Sequence, residues 1–372
     1  MKKNIFLCLV SILACMLFVL PSCLDDIEFD RPATIENGIA IQGKLVKGDP
    51  SFIRVTLRRI FDFSENARLI NARSVILSDE EGNSIELDSR QEGVFFEEIP
   101  PDNPDIQIEF GKSYKIRVET FDGRTYESSL DRLLPVPTPR DLRVEMVTKE
   151  GLDALGRIVD REFIAFSLDT PLRLSEAEEN VKLLWELEAT YRLSDTPELY
   201  TNRNCFPTRV NNVDNKTCYV TSSPITNFIP VDGETINSSS LDNFTLYETI
   251  PSSLFAEGYF LTVLQQSVSI PAFEYWSQVN QVLSRTGDLF EPPAGKVTTN
   301  FVNVNDPNDD VFGYFYATEE KPIRIFVSPE FAGNVATSCP APLTEDGRAD
   351  NTCCDCLTAG DTSTERPIWW VE

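Results

Sequence analysis

The residues with the clearest chemical potential are six cysteines in the second half of the sequence. Their thiols could close disulfides or hold a zinc ion, and they are Cys205, Cys218, Cys339, Cys353, Cys354 and Cys356. Adjacent and near-adjacent cysteines make poor ligands for zinc, because its structural sites arrange four ligands tetrahedrally around one ion. An even number of cysteines favours disulfides when the chain is exported to an oxidising compartment. We therefore expect disulfides, no metal site and no cofactor.

Spacing suggests how these cysteines pair. Cys205 and Cys218 bracket a polar, asparagine-rich loop, which predicts a local disulfide between them. Two of the three connectivities open to the last four cysteines need a vicinal bridge or a one-residue spacer, and both are strained. The remaining pattern joins Cys353 to Cys356 and Cys339 to Cys354.

Another cysteine lies in a lipidation motif. Residues 20–23 read Leu-Pro-Ser-Cys, a bacterial lipobox, in which the cysteine is diacylated and the chain is cut just before it. A short basic segment and an uncharged, mostly apolar run precede the motif, as in a signal peptide. The alternatives are a retained transmembrane helix and an ordinary secretory signal with an incidental cysteine. We predict a lipoprotein signal peptide over residues 1–22 and a non-spanning lipid anchor at Cys23.

The segment after the anchor, residues 23–34, is acid-rich. It resembles the acidic export signal that carries lipoproteins of Bacteroidota across the outer membrane to the cell surface. The alternative is a solvated acidic tether, which any lipoprotein could have on either face of the membrane. We expect a lipid-anchored outer-membrane protein at the cell surface.

Motifs for enzymatic chemistry are weak in this sequence. Histidine is absent, which excludes Ser-His-Asp and Cys-His catalysis and histidine-ligated zinc. Asp306, Asn308 and Asp310 have calcium-like spacing, but the loop lacks the glycine and the terminal acid that a calcium loop requires, so we predict a polar turn. Glu97 and Glu98 are neighbours on a predicted strand and point to opposite faces, so they cannot flank one substrate. We predict no catalytic residues.

Charge limits the partners. The chain has 33 basic and 59 acidic residues and a net charge of −26. Nucleic acids and anionic lipid surfaces bind basic proteins, so we expect neither as a partner.

The elements that position these residues are mainly β-strands, and we predict two β-sandwich-like domains. Residues 35–132 contain about seven short strands, including a hairpin over 112–128, which suits an immunoglobulin-like sandwich. Alternate prolines over residues 133–139 predict a stiff, extended linker. Residues 140–372 form a larger β-rich domain that contains the disulfides.

Two stretches of the second domain have clear periodicity. Apolar residues occupy the odd positions from Val181 to Leu193, which predicts a strand in spite of a helix-capping pattern just before it. Apolar and aromatic residues recur at three and four over residues 272–284, which predicts one short helix. We expect its aromatic stripe to pack against the sheet and Trp369-Trp370 to close the edge of a core.

Several short motifs resemble the family named "domain of unknown function 4249", and the resemblance covers nearly the whole chain after the signal peptide. They are Phe273–Trp276, Gly287–Phe290, Asn303–Pro307, Val311–Phe315, Cys353…Cys356 and Pro367…Trp369. Cys354 departs from the family pattern. The family comprises surface lipoproteins of Bacteroidota, and its members are often encoded beside a TonB-dependent outer-membrane receptor. No catalytic or ligand-binding residues can be carried over, because the function of the family is unassigned.

The resemblance implies a non-enzymatic accessory of a TonB-dependent transporter, a β-barrel that the protein would serve by capturing ligand or by capping. The alternatives are a structural subunit of an outer-membrane assembly or secretion complex and, less in keeping with the sequence, a carboxylate-dependent hydrolase.

Overall fold

The structure is a computed structural model that describes residues 38–60, 68–152, 156–175, 178, 180–201, 203–205, 215–224, 228–284 and 297–371. The predicted signal peptide, Cys23, the acidic tether and the Gly287–Phe290 motif lie outside the described residues.

Strands dominate the described chain. In chain order they are β1 (Gly38–Lys47), β2 (Ser51–Ile60), β3 (Arg68–Leu69), β4 (Ala72–Asp79), β5 (Ser84–Glu86), β6 (Asp88–Gln91), β7 (Val94–Ile99), β8 (Ser113–Thr120), β9 (Thr125–Ser128), β10 (Asp131–Arg132), β11 (Asp141–Leu152), β12 (Ile158–Pro171), β13 (Lys182–Ser194), β14 (Thr217–Ser222), β15 (Phe228–Asp232), β16 (Ser240–Thr249), β17 (Tyr259–Ser267), β18 (Phe301–Asn303), β19 (Val311–Phe312), β20 (Phe315–Val327) and β21 (Thr362–Ser363). The α-helices are α1 (Ile270–Leu283) and the single turn α2 (Asn351–Cys354). Short 3₁₀ turns lie at Pro197–Leu199, Gly233–Thr235, Ser253–Phe255 and Cys356–Thr358.

The first sandwich follows from alternating apolar residues in its strands. One layer has the order β1-β2-β7-β6 and the other has β9-β8-β4-β5, which is the strand order of an immunoglobulin-like sandwich. Inward residues such as Ile41, Val55 and Ile116 form its core. The predicted hairpin is confirmed as β8 and β9, joined by a turn in which Gly123 takes a φ of +87°.

A second sandwich packs the sheet order β14-β13-β17-β20 against the three-stranded sheet β11-β12-β16. Its core includes Trp185 and Leu261 from the first layer and Phe166 from the second. The predicted strand over Val181–Leu193 is confirmed as β13. Its odd-numbered apolar side chains enter the core, because successive residues of a strand face opposite sides.

Strand β20 makes both sandwiches share one sheet. Its first part, Phe315–Glu319, pairs in parallel with β1, and its second part, Glu320–Val327, pairs antiparallel with β17. In the described part of the chain, twelve strands therefore form one continuous sheet. The predicted division into residues 35–132 and 140–372 is corrected here, because β18, β19 and β20 return to complete the first sandwich.

The predicted linker over residues 133–139 is wrong as well. Leu133 and Val136 are fully buried. The backbone N–H of Val136 donates to Glu319 over 2.8 Å, and the Pro137 carbonyl accepts from the Gln265 side chain over 2.7 Å. Pairing of β1 with β20 places this segment against the shared sheet, so its polar backbone groups bond to protein instead of water.

The described cysteines all form disulfides, but the predicted pairing is wrong. In place of Cys205–Cys218, Cys353–Cys356 and Cys339–Cys354, the structure has Cys205–Cys354, Cys218–Cys356 and Cys339–Cys353. The cause is the buried carboxylate of Asp195, which accepts the backbone N–H groups of Lys216 over 2.6 Å and of Cys356 over 3.2 Å. This carboxylate brings the C-terminal segment beside β14, so distant cysteines meet.

Candidate functional site

The helix α1 lies on the face of the large sheet that neither sandwich core uses, which we call the outer face. Ser269 caps the helix by accepting the N–H of Ala272 over 3.3 Å, and Pro271 occupies its first turn. Ala272 and Trp276, four residues apart, are its buried side chains and pack with Leu184 of β13. The predicted helix at 272–284 is thus confirmed, starting two residues earlier.

Aromatic rings join α1 to the sheet. Trp276 stacks on Phe228 with ring centroids 4.3 Å apart, and Tyr275 stacks on Tyr314 at 4.5 Å. Trp276 also meets the edges of Tyr275 at 5.2 Å and Tyr316 at 5.7 Å. The aromatic stripe is the seam that was predicted, and mutual stacking fixes its rings in place.

A cavity of about 340 Å³ opens between α1 and the strands β1 and β2, and we call it the helix groove. Its volume is at the small end of the range for organic ligand sites, which starts at about 300 Å³. Its walls combine aromatic, aliphatic and polar side chains. They are Ala40, Gln42, Thr56, Arg58, Phe228, Tyr275, Trp276, Val279 and Gly313.

A second cleft of about 350 Å³ lies on the other side of Tyr275, and we call it the opposite cleft. Pro271, Gln278, Tyr314 and residues 298–302 contribute to its lining. Among the described residues that line the opposite cleft, Glu274 is the charged one. Among those that line the helix groove, the charged one is Arg58. The two cavities beside α1 therefore have opposite charge.

A charged cluster lies next to the groove where β20 changes partners. Lys44 forms ion pairs with Glu186, over 2.8 Å, and with Glu320. Gln266 donates to Glu186 over 3.1 Å and accepts from the Tyr316 hydroxyl over 3.1 Å. Burial alone would lower the pKa of Lys44, but Tyr316 and the two carboxylates outweigh burial and raise it. The ammonium group is therefore fixed in its charged form.

Glu188 is a third carboxylate of this region. No cation among the described residues lies within ion-pair distance of it. Burial, followed by repulsion from Glu186, raises the pKa of Glu188. Glu186 is neutralised by Lys44 and hydrogen-bonded by Gln266. The cluster therefore holds one cation, Lys44, which contacts two of three neighbouring carboxylates, Glu186 and Glu320.

The structure also describes the predicted polar turn near Asp306 and the predicted core edge at Trp370. Asp306 accepts the N–H of Asn308 over 3.1 Å, as in a polar turn. The described residues contain no group of three or more metal-binding side chains. Trp370 is 1% exposed and packs on Phe260 and Tyr219 at about 5 Å, which confirms the closed core edge.

Sequence reasoning missed the groove itself. Arg58 and Thr56 were visible as outward positions of an alternating strand, and Gln42 as an outward position of β1. The sequence gives no sign that α1 would lie over these particular strands, because that placement depends on the distant pairing of β20 with β1.

A family model described as "Domain of unknown function (DUF4249)" matches residues 25–324. No curated protein matches the chain. Among solved structures, "Crystal structure of tetra-tandem repeat in extending region of large adhesion protein" is similar at 7% identity, with 63% of this chain and 71% of that chain covered and a TM-score of 0.16, too low to support an argument. No helix within the described ranges has the length and apolarity to cross a bilayer.

Proposed function

This chain belongs to the family described as "Domain of unknown function (DUF4249)", and on that premise we propose that it is a lipid-anchored, non-enzymatic binding protein. It acts at the outer membrane as an accessory of a TonB-dependent transporter, by capturing ligand or by capping the barrel. The lipobox at residues 20–23, the acid-rich segment after it and the family's association with such receptors support this role.

The observation that carries a binding role is the helix groove. It is a cavity of about 340 Å³ with aromatic walls and a few polar groups, the usual composition of a ligand site. Its ionisable lining groups do not form an acid–base pair. Burial raises the pKa of Tyr275, so its hydroxyl stays protonated near neutral pH, and the guanidinium of Arg58 donates hydrogen bonds but accepts none. Thr56 has no base among the lining residues to activate it.

The shared sheet supports the same role. Because β20 joins both sandwiches, the outer face that carries the groove belongs to one continuous sheet. A site built on strands and a packed helix keeps its geometry better than one built on loops.

Co-purification tests the proposed partner. The full chain, tagged at its C-terminus and expressed in its native host, is recovered from detergent-solubilised outer membranes, and its companions are identified by mass spectrometry. We expect a TonB-dependent β-barrel in comparable amount. A Cys23→Ala variant serves as the control and should lose both the membrane fraction and the barrel. Recovery of the acylated chain with no barrel protein would contradict the proposal.

A further inference from the structure

We propose that the helix groove binds a small organic anion with a flat apolar body, and that Arg58 holds its carboxylate or similar acidic group. The inference rests on the binding role proposed above and specifies its site and its class of ligand.

Arg58 provides the charge argument. It follows Arg54 and Thr56 on the outward face of β2, and its partner on the neighbouring strand β1 is Ala40. Arg58 is exposed and forms no ion pair with any described residue, although the chain has 59 acidic side chains and 33 basic ones. Arg58 is also the one charged group among the residues that line the groove. A guanidinium binds a carboxylate through two parallel hydrogen bonds.

The other walls provide the apolar argument. Phe228, Tyr275 and Val279 are partly exposed on the groove side of α1 and β15. Stacking on Trp276 and Tyr314 holds the two aromatic rings in place before any ligand arrives. Rigid aromatic walls bind flat apolar groups with little loss of conformational entropy.

Hydrogen-bonding groups complete the lining. Gln42 and Thr56 are cross-strand partners on the outer face and offer an amide and a hydroxyl. The indole N–H of Trp276 is buried and has no hydrogen-bond partner among the described residues. Buried indole N–H groups usually have an acceptor, so this one is an unusual feature of the groove wall.

The opposite cleft explains why the anion would choose one side of α1. That cleft has a similar volume and shares Tyr275, but its charged lining group is Glu274. A carboxylate in that cleft would face a like charge, which is unfavourable at short range. The two cavities therefore discriminate ligands by charge more than by size.

Isothermal titration calorimetry on the full chain in detergent tests the proposal with two probes of similar shape. 2-Naphthylacetate is the anion, and 2-(2-naphthyl)ethylammonium is the cation. We expect the anion to bind at least about tenfold more tightly, since a charge-assisted hydrogen bond to Arg58 is available to it alone. Arg58→Gln should weaken the anion by about tenfold, and Arg58→Glu should reverse the preference.

Arg54→Gln is the matched control, because Arg54 lies on the same strand and face but outside the groove. It should leave the affinity for 2-naphthylacetate within about twofold of the original protein, as expected for an exposed charge at a distance. The proposal is overturned if neither probe binds, if both bind equally, or if the two arginine variants have the same effect. These outcomes do not depend on whether a barrel co-purifies, so failure of the ligand class and failure of the transporter role are distinguishable.

Discussion

Among single residues, Asp131 is the carboxylate whose burial should be easiest to detect. It is 3% exposed in β10, where it accepts the Ser269 hydroxyl and the backbone N–H of Ala317, the latter over 2.9 Å. Burial raises the pKa of Asp131 from 3.8 to about 6, although both hydrogen bonds oppose the shift. Asp131 thus connects β10, the cap of α1 and β20 while carrying an unfavourable charge at neutral pH.

We predict that Asp131→Asn removes a pH dependence from the free energy of unfolding. The folded pKa of about 6 exceeds the unfolded value of 3.8. The folded state therefore holds the extra proton, and the stability contributed by Asp131 falls as pH rises from about 4 to about 6. Across that pH window, the free energy of unfolding of the asparagine variant should rise by roughly 2 kcal/mol relative to that of the original protein. Above the window the difference should stay constant. Urea unfolding from pH 4 to 7 measures the difference.

Asp102→Asn, on an exposed turn, is the control and should show no such gain. A constant difference between the Asp131 variant and the original protein across the whole range would refute the assignment.

Gly313 lines the helix groove at a position where the backbone conformation and a close contact favour glycine. Its φ is +92°, and a Cβ atom there would lie 2.1 Å from the carbonyl oxygen of Ile41. Gly313→Ala should therefore destabilise the fold by about 2 kcal/mol or more, combining left-handed strain with a backbone clash. Gly123→Ala has a similar φ of +87° and open space around it, so it measures the strain alone. Equal losses in chemical unfolding would exclude the clash.

At the scale of elements, β20 shows what periodicity can and cannot predict. Three consecutive charged residues, Glu319, Glu320 and Lys321, interrupt its apolar pattern. In the structure the strand continues, since Glu319 accepts the N–H of Val136 and Glu320 pairs with Lys44. Partners more than a hundred residues away decide the matter, and local patterns contain no information about them.

The disulfides give a prediction at this scale. Cys205→Ser should leave Cys354 as the free thiol, because these two residues are bonded across 149 positions. Alkylation under non-reducing conditions, followed by tandem mass spectrometry, identifies the labelled residue. Labelling of Cys218 instead would support the local bridge expected from sequence. Loss of a bridge that closes so long a loop should also lower the free energy of unfolding by several kcal/mol, roughly 2–5.

For the whole molecule, the domain boundary was the least predictable feature. Alternating apolar residues predicted the strand content and β13. Turn residues predicted the hairpin, and helical spacing predicted α1. No such pattern predicted the sharing of one sheet, because it depends on the parallel pairing of β1 with β20, whose partners are about 270 positions apart. The groove was missed for the same reason.

We predict that residues 38–132 do not fold stably on their own. Their core includes Phe301, Val311 and Phe315 from the distant segment, and β1 would lose its pairing with β20. Circular dichroism and amide hydrogen exchange of the fragment should therefore show a largely unfolded chain. The full chain should unfold in one transition, with the same midpoint from tryptophan emission and from protection in β2 and β8. A well-folded fragment would restore the two-domain interpretation.

The central functional claim is that this protein acts as a binding protein while it is anchored to a membrane through Cys23. The most direct measurement is the mass of the N-terminal peptide of the chain purified from its native membranes. We predict that the peptide begins at Cys23 and carries fatty acyl chains on that residue. An unmodified Cys23 on a chain released into the medium would contradict the account.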